Sequence, residues 1–278
     1  MKQFVTEESF WELFPEAQIG IVVAHNMKPT EEVAPEDAAA IARALAEANS
    51  AADQHLESNT ISQNEVVAVW REAYQKFKTK KGARCSIENL LKRVLKGNPV
   101  GSITPSVDIY NAVSLAYALP VGGEDIDAME GDIRLGITEG GDAFRPLGEE
   151  EDAPTLEGEL CYRDDAGAIC RCWNWRDGER IGPDRLTQKK AFLIIESVDP
   201  DRADDLAAAT DQLAAMVQQY LGRRHLRQAD HRSRQPDHGD RRIARVRREA
   251  KTRGADGLGG RAPRPIGKGE AGELARAR

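Results

Sequence analysis

Asp108 and Asn111 stand three residues apart in the run Ser106-Val107-Asp108-Ile109-Tyr110-Asn111-Ala112-Val113, and the chain soon reads Gly122-Gly123-Glu124-Asp125. That spacing puts both polar groups on one face of a helix whose apolar positions are Val107, Ile109, Val113 and Leu115. Pro105 suits the helix start, and Pro120 ends it near Ala118. The paired glycines read as a loop where backbone can approach a ligand closely. Carboxylate, carboxamide and bare backbone in sequence are the means of binding a polar ligand. An ordinary helix with a solvated face, followed by a turn, would carry the same residues.

Three further groups carry chemical potential. Trp173-Asn174-Trp175-Arg176-Asp177-Gly178-Glu179-Arg180 reads as an aromatic strand, its two tryptophans flanking Asn174 on one face. Such a face suits either a wall for a ring or amino-acid side chain or plain packing. Glu196 follows the apolar run Phe192-Leu193-Ile194-Ile195, so its carboxylate has to be solvated or paired. Residues 71–96 hold Arg71, Lys76, Lys78, Lys80, Lys81, Arg84, Lys92, Arg93 and Lys96 against only Glu72 and Glu88. A local excess of this kind fits a phosphate backbone, with salt-dependent affinity, or a solvated helix face and a lysine-rich loop.

The elements that must position these groups follow from periodicity. Residues 17–24 form a short, β-branched and nearly wholly apolar strand. Residues 35–56 are alanine-rich with acids in the first turn, and 64–77 and 86–95 carry apolar residues at helical spacing, so three helices precede the Val107 helix. Beyond Pro120 come strands at 133–138, 158–163, 168–174 and 191–198, with a hairpin turn at Asp164-Asp165-Ala166-Gly167. A last helix spans 201–221, opened by Asp199-Pro200-Asp201. The class is α+β, with a mixed or largely antiparallel sheet and flanking helices.

The order of these pieces resembles the tRNA-binding and editing domain of the phenylalanyl-tRNA synthetase beta subunit, the B-three/B-four domain. That family carries a Val-Asp-(Val/Ile)-Thr-Asn-Tyr-Val helix, which residues 107–113 match with Tyr110 in place of Thr. Its Gln-Pro-x-His-Ala-Phe-Asp segment is matched by 120–125, and its Gly-x-Ile-x-Val-Arg strand by Glu130-Gly131-Asp132-Ile133-Arg134-Leu135. Ser86, Leu90 and Arg93 fall where the family has a Ser-Pro-x-x-Leu-x-x-Arg-Leu helix. The match is good over residues 84–148 and loose over 149–200.

The resemblance implies a free-standing editing-type domain that hydrolyses misacylated aminoacyl-tRNA in trans. Its partners would be tRNA and aminoacyl-tRNA, with no DNA, no membrane and no cofactor or metal. Ester hydrolysis needs an oriented water, a group to deprotonate it and donors for the oxyanion. The family's editing histidine aligns with Gly122, so Glu124, two residues on, is the candidate to orient water. Glu179 is the nearest match to a family glutamate lining the amino-acid pocket, and Glu196 also aligns with a family acid. The implied catalytic pair is Glu124 and Glu179. Asn111, Gly122, Gly123, Trp175 and Glu196 would bind the substrate, and Lys78, Lys80, Lys81, Arg84, Lys92 and Arg93 the tRNA. A non-catalytic tRNA- or amino-acid-binding module stays open because of Gly122, as does an unrelated small-molecule enzyme on the same fold. Any enzyme would be an ester hydrolase rather than a complete ligase, since no ATP site or class II synthetase signature is visible.

Composition sets the boundaries. The 278 residues are 40% hydrophobic and 31% charged, with no apolar run of the ~20 residues a membrane helix requires. Residues 1–8 lack the apolar core of a signal peptide, which points to the cytoplasm. Cys85, Cys161, Cys170 and Cys172 are too sparse for a disulfide scaffold, and Cys170-Arg171-Cys172 lacks the usual zinc spacing. The net charge of -7 conceals a division: residues 223–278 hold 15 Arg and 2 Lys against 7 acids, leaving 22 basic against 39 acidic groups in 1–222. We therefore expect one domain over 1–222. Residues 223–278 should be a disordered Arg-rich tail, either a nucleic-acid-binding arm or text from a shifted reading frame.

Overall fold

The computed structural model describes residues 2–181, 190–222 and 226–231. Nine strands in two sheets are joined by six α-helices among these residues. Phe4–Thr6 (β1), Ile133–Ile137 (β4), Leu160–Asp164 (β5), Gly167–Arg171 (β6) and Arg176–Asp177 (β7) form the first sheet in that order. β1 pairs with β4 in parallel and the other pairs are antiparallel. The second sheet has the order β3-β8-β2-β9, all antiparallel, from Val121–Asp125 (β3), Gln18–His25 (β2), Lys190–Ser197 (β8) and Leu226–His231 (β9). The class is α+β with a mixed sheet, as expected. Among the described residues no helix is long and apolar enough to cross a membrane.

Strand alternation divides the core in two. Val22, Ala24, Leu193 and Ile195 turn to one face of the second sheet and pack with Ile41, Ile109, Val113, Leu206 and Leu213. These last five lie on Pro35–Ala51 (α2), Pro105–Tyr117 (α5) and Ala203–Met216 (α6). Ile19, Ile21, Phe192 and Ile194 turn to the opposite face, against the first sheet, Glu8–Leu13 (α1), Glu65–Ala73 (α3) and Ser86–Leu95 (α4). Each such side chain, fully buried, contributes about 1.5–3 kcal/mol.

α5 is fixed at both ends. Thr104 caps it by accepting from the Val107 amide, Pro105 occupies its first turn, and Ala118 closes it in the left-handed conformation with φ 46°. Asp108 accepts from the Ile103 amide at 2.7 Å and from the Ser102 hydroxyl, so it ties down the preceding loop and does not share Asn111's surroundings.

Two expectations are corrected. Gly122-Gly123-Glu124-Asp125 is strand rather than loop, because β8 supplies a complete ladder from Val121↔Ile195 to Asp125↔Ala191. Trp173 and Trp175 do not alternate on a strand: residues 172–175 form a turn, with Cys172 at φ 48° and Trp173 at φ 65°. β9, at 226–231, pairs with β2; the rest of 223–278, where the sequence suggests a disordered tail, lies outside the described residues. Short β1 and α1 fall below what periodicity reveals.

Gly20 shows how closely α6 sits on β2. A Cβ there would lie 2.1 Å from Thr210 Oγ1, an oxygen that donates to the Leu206 carbonyl. Gly20→Ala should therefore cost about 1–3 kcal/mol in equilibrium unfolding. Thr210→Ala in the same chain should recover part of that loss, so the two changes will not add.

Candidate functional site

A cavity of about 170 Å³ opens between the two sheets. Its floor is the face of β3 and β8 that strand alternation assigns together: Gly122 and Glu124 from β3, opposite Ile194 and Phe192, with Glu196 next along β8. α5 contributes Tyr110 and Asn111, and α4 contributes Ser86 and Leu90. The first sheet and the 172–175 turn supply Tyr162, Cys170, Trp173, Asn174, Trp175 and Asp177. A volume near 150 Å³ is enough to admit benzene, so this one suits a single compact side chain with a few further atoms.

Three carboxyl groups border that space. Glu196 is 1% exposed and fully engaged: Trp173 Nε1 donates to Oε1 at 2.7 Å, Asn174 Nδ2 to Oε2 at 2.9 Å, and the Tyr162 hydroxyl also donates to Oε1. Tyr74 extends the chain by donating to Asn174 Oδ1 at 2.9 Å. Burial raises the Glu196 pKa to about 7, although its three donors pull the other way. Glu124 is 7% exposed, and its Oε2 has no hydrogen-bond partner. Burial first, and Asp177 second, push Glu124 well above the usual carboxylate range, with Arg180 opposing. Asp177 is raised chiefly by burial, while its hydrogen bond with Cys170 and the charge of Arg176 oppose the shift. Ser86 Oγ, at the start of α4, is likewise without a partner. Among the described residues no group of three or more His, Cys, Asp or Glu is arranged to hold a metal.

The B3/4 domain family model matches residues 69–222, more than half of the chain and a stretch containing every residue that lines the cavity. The chain belongs to the B3/4 domain family. A similar solved structure is an N-terminal fragment of the phenylalanyl-tRNA synthetase beta-subunit from Pyrococcus horikoshii, at 11% identity and a TM-score of 0.41. The similarity covers 78% of this chain and 48% of that one, so this chain spans about half the fragment's length. No curated protein matches this chain.

Within this B3/4 domain, Asn111, Gly122, Glu124, Trp175 and Glu196 come together around the cavity. Gly123 and Glu179 do not. Gly123 is one residue out of phase with Gly122 and Glu124, so it belongs to the other face of β3. Glu179 has a side chain 51% exposed and lies 3.7 Å from Arg145, on the outside of the domain. Asp177, two residues before Glu179, lines the cavity instead. Tyr162 and Asn174 were also not foreseen; both act through Glu196, which is distant in sequence.

Lys78, Lys80, Lys81, Arg84, Lys92 and Arg93 are all exposed. Arg84 is drawn toward Glu88 at 3.8 Å, and Arg93 donates to the Pro99 carbonyl at 3.3 Å. The lysine loop docks directly behind the cavity wall, its Lys80 amide donating to Cys172 Sγ at 3.4 Å and its Lys78 amide to the Gly158 carbonyl at 2.9 Å. The four cysteines are free and buried, and burial raises the Cys172 thiol to about 12, so they act as packing. Arg171 and Glu159, 2% and 0% exposed, form a buried pair at 2.5 Å behind the same turn.

Glu196 makes stability depend on pH. Its folded pKa of about 7 lies above the ordinary 4.5, so the folded chain holds this proton more tightly than the unfolded chain. The contribution is complete below pH 4.5 and is lost as pH rises through 7, on the order of 3 kcal/mol in all. Equilibrium unfolding of wild type and Glu196→Gln between pH 4 and 8 checks this. The wild-type stability should fall with pH relative to the variant, and parallel profiles would contradict the assignment.

Proposed function

We propose that this B3/4 domain binds aminoacyl-tRNA and hydrolyses a misacylated ester in trans. The observation that carries the proposal is the unpartnered, buried carboxyl of Glu124 inside a cavity the size of one side chain. The resemblance to a synthetase editing domain supports tRNA as the partner. The exposed lysines of 78–81, anchored to the cavity wall, suit the phosphates near the acylated end.

The chemistry needs only groups already lining the cavity. Glu124 takes a proton from a water whose oxygen attacks the ester carbonyl carbon, and the Ser86 hydroxyl and Asn111 amide, which line the same cavity, donate to the developing oxyanion in this reading. The bond from acyl carbon to ribose oxygen then breaks, and the proton passes from Glu124 to that oxygen. The products are the free amino acid and the tRNA hydroxyl. Glu124 serves as base only when ionised, and burial raises its pKa, so the rate should climb with pH above the ordinary carboxylate range.

Gly122 supports a second reading, a binding module without turnover, because the family's histidine is missing there. A Cβ at Gly122 would meet only Ile194 Cγ2, at 3.7 Å, so the place is open rather than filled by a substitute. Release of labelled amino acid from a panel of aminoacyl-tRNAs separates the two. Hydrolysis predicts selective release that Glu124→Gln abolishes with tRNA affinity nearly intact, whereas retention without release leaves the binding module.

The basic loop has its own test. Lys80→Glu with Lys81→Glu should weaken tRNA retention and lower the slope of log affinity against log salt by about two. An unchanged slope would place the tRNA elsewhere.

A further inference from the structure

The cavity's charge is one-sided. Glu124, Asp177 and Glu196 line it, and among the described residues no lysine, arginine or histidine does so. Arg180 and Arg176, whose charges reach Glu124 and Asp177, have their donors engaged by other groups. Arg180 donates to both oxygens of Asp164, at 2.6 and 2.9 Å, and to the Ala128 carbonyl at 3.0 Å. Arg176 donates to Glu149 at 2.9 Å and to the Leu147 carbonyl at 3.2 Å. Glu196 is occupied by Tyr162, Trp173 and Asn174, which leaves Glu124 and Asp177 to meet a ligand. The remaining walls are largely aromatic and aliphatic: Tyr110, Trp175, Phe192 and Ile194.

A space of this kind suits a compact cation with an apolar body. An aminoacyl ester is such a group, because its ammonium is charged while its carboxyl is masked by the ester. The free amino acid is not, because its carboxylate would be buried against two further acids, with no cation among the described lining residues to meet it.

We propose that the cavity is a charge filter, which accepts the ammonium of an esterified or amidated amino acid through Glu124 and Asp177 and rejects the free amino acid. The source of the ester rests on the trans-hydrolysis reading above. Hydrolysis then converts a ligand into a non-ligand: water adds across the ester bond, the new carboxylate appears beside Glu124 and Asp177, and the product is expelled. No separate release device is required.

Calorimetric titration of the full chain tests the filter with matched probes: the amides of alanine, leucine and phenylalanine, the three free amino acids, and the three amides lacking the amino group. At least one amino-acid amide should bind about tenfold or more tighter than both its free acid and its deaminated form. Asp177→Asn and Glu124→Gln, which keep the side-chain volume, should each narrow that gap. Equal binding of free acid and amide, equal binding of the deaminated amide, or no amide binding at millimolar concentration would each overturn the filter. Release from aminoacyl-tRNA in a chain that fails with the amides would remove the filter alone. Amide selectivity without any release would support the filter and remove hydrolysis.

Discussion

Everything in this domain turns on one buried carboxylate. Glu196 projects from the second sheet and collects donors from the first, Tyr162 from β5 and Trp173 and Asn174 from the turn after β6. A lone carboxylate at that depth would cost several kcal/mol; three donors offset the cost and make the sheet-to-sheet contact specific. Trp173 gains the most from this. It adopts φ 65° without being glycine, a conformation that costs about 1–3 kcal/mol unless its surroundings enforce it. Its indole nitrogen is held by Glu196, and its ring lies 4.7–5.4 Å from Phe10, Phe14 and Trp70. The turn is thus fixed at both ends of one side chain.

That fixed turn shapes both faces of the candidate site. Inward, it sets Asn174, Trp175 and Asp177 against the floor of Glu124 and Gly122. Outward, Cys172 receives the Lys80 amide and seats the lysine loop. An acid-lined cavity and a basic surface therefore share one thin wall, in a chain whose first 222 residues are otherwise strongly acidic. The same arrangement suits a substrate with a cationic amino acid at the end of an anionic polymer. The proposed ester hydrolysis, salt-dependent binding and charge filter all rest on that pairing of signs.

The sequence made much of the scaffold legible and less of the site. β2, α4 and α5 follow from β-branched runs, apolar spacing and the Pro105 and Pro120 boundaries, because local and tertiary preferences agree there. Gly122-Gly123 misleads: two glycines have poor strand propensity, and only pairing with β8 makes them strand. The 172–175 turn has no local signature, since its left-handed residues are Cys and Trp where glycine would have announced them. Glu179 rests on a loose match to a family glutamate, and Asp177, two residues earlier, lines the cavity instead. The Glu196 network joins residues dozens of positions apart, which no spacing argument reaches from one sequence. Glu196 itself was legible, because an acid after four apolar strand residues demands a partner.

The most direct measurement is a pH titration of the side-chain carboxyl carbons by NMR on the full chain, with glutamate and aspartate labelled. A glutamate resonance with a midpoint near 7, absent in Glu196→Gln, is the predicted result. A second raised glutamate should disappear in Glu124→Gln. If every glutamate titrates near its ordinary 4.5, the acids do not share a buried cavity, and the shaped, one-signed site described above does not exist.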